Sequence, residues 1–254
     1  MKSQKNVTKR LTGILLLLSE SKGPLTLSDL SNHCRLPPST MHRLLTQLSQ
    51  TGMVTRAGQR GYAAGPALMY MALCLSKRSR ILRLASPIVQ DLAGRTGRNC
   101  ALSLYVSPRR CRVNVIEADI TSLQTIPEHR HFMRDLVWGA PGRAILAHLR
   151  SDEAEQAIQQ AGQERVMNCT RPPIESIRSN LEIIRCRGYA ISNSEVVPGG
   201  NAIATPIFGA SQLPLGSLMI LERGTRWDRT TEKWLSGLLS VRSQQLQQDL
   251  RRNL

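Results

Sequence analysis

Six side chains in one short segment carry the chemistry most open to reading: Ser39, Thr40, His42, Arg43, Thr46 and Gln47. Arg43 and Gln47 lie four residues apart, one helical turn, so both can reach the same groove of a duplex. An arginine pairs in two-pronged fashion with guanine O6 and N7, and a glutamine with adenine. Ser39 and Thr40 suit phosphate contact or capping, and His42 suits a phosphate or a base edge. Arg56 and Arg60 follow near a glycine-flanked tip, Ala57-Gly58-Gln59-Arg60-Gly61, and are read as contacts to DNA backbone or minor groove.

The elements that must hold these groups can be read from the spacing of apolar residues. Val7, Leu11, Ile14, Leu15 and Leu18 recur at helical intervals over residues 7–21, and Gly23-Pro24 ends that run. Thr26-Leu27-Ser28-Asp29 resembles a capping box, with the Thr26 hydroxyl accepting from the Asp29 N–H, and Leu27, Leu30 and Cys34 form the inner stripe of a second helix. A third helix starts at Pro37-Pro38, where proline suits the first turn. Met41, Leu44, Leu45 and Leu48 fall at i, i+3, i+4 and i+7 and face inward, which turns the six polar residues outward. Gly52 stops the helix. Met53–Arg56 and Tyr62–Ala64 flank the basic tip as a hairpin. Two helices, a turn and a hairpin form the pattern of a winged helix-turn-helix, whose second helix enters the major groove.

Charge agrees with a polyanionic partner. The chain of 254 residues has a net charge of +16 and a pI near 10.6. Residues 1–62 carry nine basic and two acidic side chains, net +7, whereas 79–254 reach the same +7 over nearly three times the length. Aromatic residues make up 4%, too few to furnish stacking platforms for single strands. The longest aliphatic run, Ile14–Leu18, is far short of the roughly 18 residues that span a bilayer. Basic residues precede it, but no small-residue cleavage site follows, so a cytoplasmic protein without a membrane role is expected. The six cysteines, Cys34, Cys74, Cys100, Cys111, Cys169 and Cys186, include no C-x-x-C and are expected to be reduced thiols. His129-x-His131 is weak as a metal motif, and neither a metal nor a cofactor is expected. The chain lacks G-x-S-x-G, a Walker loop, G-x-G-x-x-G and H-E-x-x-H, so no catalytic residues are assigned and an enzyme is not expected.

The run Pro66 to about Lys77, PALMYMALCLSK, is apolar and helical in pattern. It reads as a linker helix whose apolar excess packs against a partner subunit. Beyond it, helical periodicity occupies about 81–97, 140–149, 152–162, 174–187 and 230–252. Strand-like runs are Cys100–Val106, Arg112–Ala118, Ala202–Phe208 and Leu215–Glu222, with a hairpin turn at Pro108-Arg109-Arg110. The expected fold class is α+β, with the helices bracketing a mainly antiparallel sheet. The expected division is 1–65, a winged helix-turn-helix; 66–78, a linker helix; and 79–254, a sensor domain.

Ser39 to Gly52 fits S-T-x-x-R-L-L-x-x-L-x-x-x-G, and in this respect the chain resembles the IclR family of bacterial transcription regulators. Gly142-Arg143-Ala144, Arg187-Gly188-Tyr189-Ala190 with Glu195, and Ala204-Thr205-Pro206-Ile207 are similar to that family's C-terminal half. The resemblance covers nearly the whole chain. It implies a GAF-like C-terminal domain that binds a small effector, and dimers, in this family often paired into tetramers, on double-stranded operator DNA. It places the effector site at Ala140, Pro141, Ser192, Asn193, Ala202, Met219 and Leu221. Here the family's usual polar groups are largely replaced: its Gly-Ala falls on Ala140-Pro141, its Asp on Ser192, its Cys on Ala202, and its serines on Met219 and Leu221. A carboxylate buried without partners is costly. A less polar ligand, a sugar-derived ligand or no ligand remain open, and with them an effector-independent repressor or a non-specific DNA-binding protein.

Overall fold

The computed structural model describes residues 2–21, 23–58, 61–106, 111–118, 133–161, 172–196, 198–209, 211–224 and 226–252. They fall into two compact units, Met1–Ser79 and a second that begins at Arg80. The turn expected at Pro108-Arg109-Arg110 and the His129-x-His131 pair lie outside the described residues.

In the first unit, α1 (Lys2–Glu20), α2 (Leu27–Cys34) and α3 (Pro38–Gln50) enclose an apolar core with Ile14, Leu30, Met41, Leu44 and Leu45 at its centre. The first helix begins five residues before the expected Val7, because Lys2–Asn6 are polar and leave no apolar rhythm to read. Both arms of the capping box at α2 form: the Asp29 N–H donates to Thr26 Oγ1 at 3.2 Å, and the Thr26 N–H donates to Asp29 Oδ2 at 2.9 Å. The bonds from Thr26 hold the Asp29 carboxyl below the ordinary carboxylate range. Gly52 follows α3 at φ +71°, the conformation the stop requires.

The hairpin is β2 (Val54–Ala57) and β3 (Gly61–Ala64), paired from Val54↔Ala64 to Ala57↔Gly61. A two-residue strand not read from the sequence, β1 (Leu25–Thr26), joins β3 on its other side and gives the order β1-β3-β2. Then α4 (Pro66–Arg78) starts hard against the α3–β2 corner. The Gly65 N–H donates to Met53 O at 2.8 Å and the Ala67 N–H to Gly52 O at 3.1 Å. A Cβ on Gly65 would stand 2.2 Å from Gly52 O, so no side chain fits there. No α4 residue is buried, and Met69, Tyr70, Leu73 and Leu75 are exposed.

The second unit is a six-stranded antiparallel sheet in the order β6-β5-β4-β9-β8-β7. Its strands are β4 (Asn99–Val106), β5 (Cys111–Ala118), β6 (Met133–Asp135), β7 (Ala190–Asn193), β8 (Gly200–Phe208) and β9 (Pro214–Arg223). The short edge strands β6 and β7 went unread in the sequence. On one face lie α5 (Arg80–Thr96) and α9 (Arg229–Arg251), packed on Cys100, Leu102, Ile203, Leu218 and Ile220. On the other lie α6 (Gly139–Leu146), α7 (Ser151–Gln160) and α8 (Ile174–Arg187), packed on Ala101, Ala190, Ala202, Ala204 and Met219. The period of two along each strand supplies both faces at once. The architecture is α+β, as expected. Among the described residues no helix is long and apolar enough to cross a membrane.

Candidate functional site

The helix that carries the DNA-reading candidates is amphipathic with a clean division. Met41, Leu44, Leu45 and Leu48 are buried, while Ser39, His42, Arg43, Thr46 and Gln47 are exposed and Thr40 is half-exposed. Burial of the four apolar residues fixes the roll of α3, and the polar face points away from the core as a consequence. Among the described residues, the side chains of Ser39, Thr40, His42, Arg43 and Gln47 have no partner within the chain. Thr46 differs: its hydroxyl donates to His42 O at 2.9 Å. The helix starts at Pro38, with Pro37 before it and no side chain capping its first turn.

Arg56 stands directly across the hairpin from Tyr62 and lays its guanidinium 5.4 Å from the ring centre. Tyr62 is buried and Arg56 exposed, so the ring is a fixed platform for a cation presented to solvent. Arg60 lies outside the described residues.

The second cluster of candidates sits on the α6 face of the large sheet. Ser192↔Ala202, Ala202↔Leu221 and Ala204↔Met219 are lateral partners, which brings Ser192, Ala202, Met219 and Leu221 together. Ala140 and Pro141, in the first turn of α6, close over them: the Ala140 N–H donates to Ser192 Oγ at 2.9 Å. Asn193 does not join the group. Alternation along β7 puts it beside Ile191, which packs toward α9 on the opposite face. The structure therefore gathers six of the seven tentative effector residues and separates the seventh.

Two sets of hydrogen bonds in this cluster went unread in the sequence. Ser217, fully buried, donates its hydroxyl proton to Pro141 O at 3.1 Å. It shares a face with Met219 and Leu221, so the period of two in β9 could have found it. Arg143 reaches from α6 to the turn after β7, bonding Glu195 through Nη1–Oε2 at 2.5 Å and Nη2–Oε1 at 2.7 Å, and donating to Ile191 O at 2.7 Å. Its neighbour Gly142 has no room for a side chain, since a Cβ would fall 2.3 Å from Leu136 O. The tight seat of Gly142 on residue 136 and the span of Arg143 together fix the start of α6 over the sheet.

Comparison with known proteins places these two units in context. The family model described as bacterial transcriptional regulator IclR C-terminal matches residues 74–248, and the model of the IclR helix-turn-helix domain matches residues 7–58. Among characterised proteins, the HTH-type transcriptional regulator BhcR of Paracoccus denitrificans is 28% identical over 200 residues, 78% of this chain and 71% of that protein. The transcriptional repressor IclR of Escherichia coli is 26% identical over 226 residues, 87% of this chain and 82% of that protein. Among solved structures, an IclR transcriptional regulator from Alicyclobacillus acidocaldarius superposes with a TM-score of 0.79 at 19% identity, covering 96% of this chain and 98% of that one. An IclR homolog from Microbacterium hydrocarbonoxydans, complexed with 4-hydroxybenzoate, superposes with a TM-score of 0.75 at 18% identity, covering 96% and 99%. At these identities the superpositions speak for the fold.

Proposed function

The chain belongs to the IclR family of bacterial transcriptional regulators, and on that footing we propose how it meets its DNA and what governs the meeting. It is a helix-turn-helix regulator, not an enzyme. In our reading α3 lies in the major groove, and the exposed, unpartnered face of Ser39, Thr40, His42, Arg43 and Gln47 carries the proposal. Arg43 and Gln47 read base edges, each good pair being worth about 1–3 kcal/mol of discrimination. The methyl of the exposed Thr46 meets a thymine methyl. Ser39, Thr40 and His42 contact the backbone, and Arg56, braced on Tyr62, meets it from the wing together with Arg60. The regulator acts as a repressor in the cytoplasm.

Association of two chains through α4 follows from its exposed Met69, Tyr70, Leu73 and Leu75. A dimer places two α3 helices on two half-sites, and pairing of dimers gives a tetramer. On this reading the functional segments are 1–65 for DNA, 66–78 for linkage and pairing, and 79–254 for sensing.

The sensing site is the cluster of Ala140, Pro141, Ser192, Ala202, Met219 and Leu221 under the start of α6. The relative complexed with 4-hydroxybenzoate supports a small organic effector. Alanine, methionine and leucine lining favours a ligand with an apolar body. An effector changes operator affinity only by binding one arrangement of the protein better than another. A second reading, an effector-independent repressor, is favoured by the bond between Ala140 and Ser192, which occupies a backbone donor that a ligand's oxygen would otherwise take.

The test is Arg43→Ala in the full chain. Cognate operator binding is expected to fall to the level of random duplex while the circular dichroism spectrum and melting temperature stay unchanged. Cognate affinity equal to wild type in that variant contradicts the assignment of α3.

A further inference from the structure

Arg35 closes α2 in the left-handed conformation, φ 51° and ψ 46°. It is the single residue other than glycine to do so among the described residues of the first unit. The backbone around it is fixed without help from its side chain. The Arg35 N–H donates to Asn32 O at 3.3 Å, the Leu36 N–H donates to Ser31 O at 3.0 Å, and Leu36 is buried in the core. A residue with a Cβ is strained in this region, whereas glycine adopts it freely and is the usual choice at such a helix end. The arginine offsets nothing inside the chain: it is exposed, and among the described residues its guanidinium has no hydrogen bond, ion pair or ring partner. Strain retained at one position with no internal return points outward, to a task at the surface.

We propose that Arg35 contacts the DNA backbone, gripping a phosphate beside the groove that α3 enters. It stands in the turn between α2 and α3, three residues ahead of Pro38, in a segment whose charged residues are mostly basic. A guanidinium meets phosphate oxygens with paired, charge-assisted hydrogen bonds. Such a contact sets affinity and register, and carries no sequence preference. The inference rests on the reading of α3 as the groove helix.

The experiment measures binding of full-length wild type, Arg35→Gly, Arg35→Lys and Arg43→Ala to the upstream operator and to a random duplex of equal length, between about 50 and 200 mM salt. Melting temperatures are recorded in parallel. Arg35→Gly is expected to weaken both duplexes by the same factor, about tenfold, and to make the slope of log K against log salt shallower by about 0.9 for each bound subunit. Its melting temperature is expected to equal or exceed that of wild type, because glycine relieves the strained turn. Arg35→Lys is expected to keep the wild-type slope. Unchanged affinity and slope in Arg35→Gly overturn the proposal. So does weakening confined to the operator, which indicates base reading, and so does a lowered melting temperature, which indicates a role in folding. Arg43→Ala separates this from the parent reading: if it abolishes operator preference, α3 is the groove helix whatever Arg35→Gly does, and if it has no effect, the parent reading fails.

Discussion

Arg143 and Glu195 form a two-pronged ion pair beside the second unit's candidate site, with 7% and 13% of their side chains exposed. The pair ties α6 to the turn after the edge strand β7, and Arg143 also covers Ile191 O on that edge. Burial of two charges is favourable only when each is fully partnered. Replacing one partner strands the other.

Glu195→Ala should therefore destabilise the second unit by about 3–5 kcal/mol. Denaturant unfolding followed by tryptophan fluorescence checks this. The double replacement Arg143→Met with Glu195→Leu should cost less than Glu195→Ala alone, since it leaves no charge uncompensated. Equal stability of wild type and Glu195→Ala would show that the pair is not buried in solution.

Ser192 occupies the Ala140 N–H, a donor at the start of a helix. Ser192→Ala leaves that donor buried and empty, at a cost of about 1–3 kcal/mol. Ser192→Gly adds space beside it. Calorimetric scans with small aromatic and aliphatic monocarboxylates should show a larger rise in melting temperature for Ser192→Gly than for wild type. The reverse order would mean that the Ser192 hydroxyl contributes to ligand binding instead of standing in for it.

The α4 surface gives a prediction on assembly. Leu73→Glu with Tyr70→Glu places like charges in the proposed pairing face. Sedimentation should show loss of the dimer, and operator affinity should fall about 100-fold as two linked half-site contacts become one. A dimer that survives both changes must be held elsewhere.

His148 supplies a pH signature. Its ring packs edge-on against Phe208 at 5.0 Å, and its Nε2 is buried without a partner. Burial first, and the nearby Arg185 charge second, hold its pKa below the ordinary imidazole value. The unfolded chain then binds the proton more readily than the folded one. This stability contribution is complete above about pH 6.5 and shrinks as pH falls from there toward the folded pKa. Unfolding midpoints measured from pH 7.5 down to about 5.5 should decline for wild type and decline less for His148→Leu. Parallel curves would place the acid sensitivity on other groups.

Much of the first unit was legible because its signals are local. The intervals of Met41, Leu44, Leu45 and Leu48 fix α3, and Thr26 with Asp29 fixes the start of α2 within four residues. The large strands announced themselves by apolar runs. The pieces that escaped are short or depend on distant residues. β1 is two residues long, and β7, Ala-Ile-Ser-Asn, is a four-residue edge with no marked alternation. Arg143 and Glu195 lie 52 positions apart, and nothing near either residue marks it as buried. Asn193 was grouped with Ser192 by adjacency, whereas successive strand residues point to opposite faces. The left-handed turn at Arg35 was hidden because a position usually marked by glycine carries an arginine.

The central claim is sequence-specific operator binding by the first unit, and its most direct measurement is binding of the purified full-length protein to the intergenic DNA upstream of its own gene, with random duplex as competitor, at two salt concentrations. The account predicts preference for the upstream DNA by about a thousandfold or more, with affinity for both duplexes falling as salt rises. Equal affinity for upstream and random duplex, with the same dependence on salt, would contradict it.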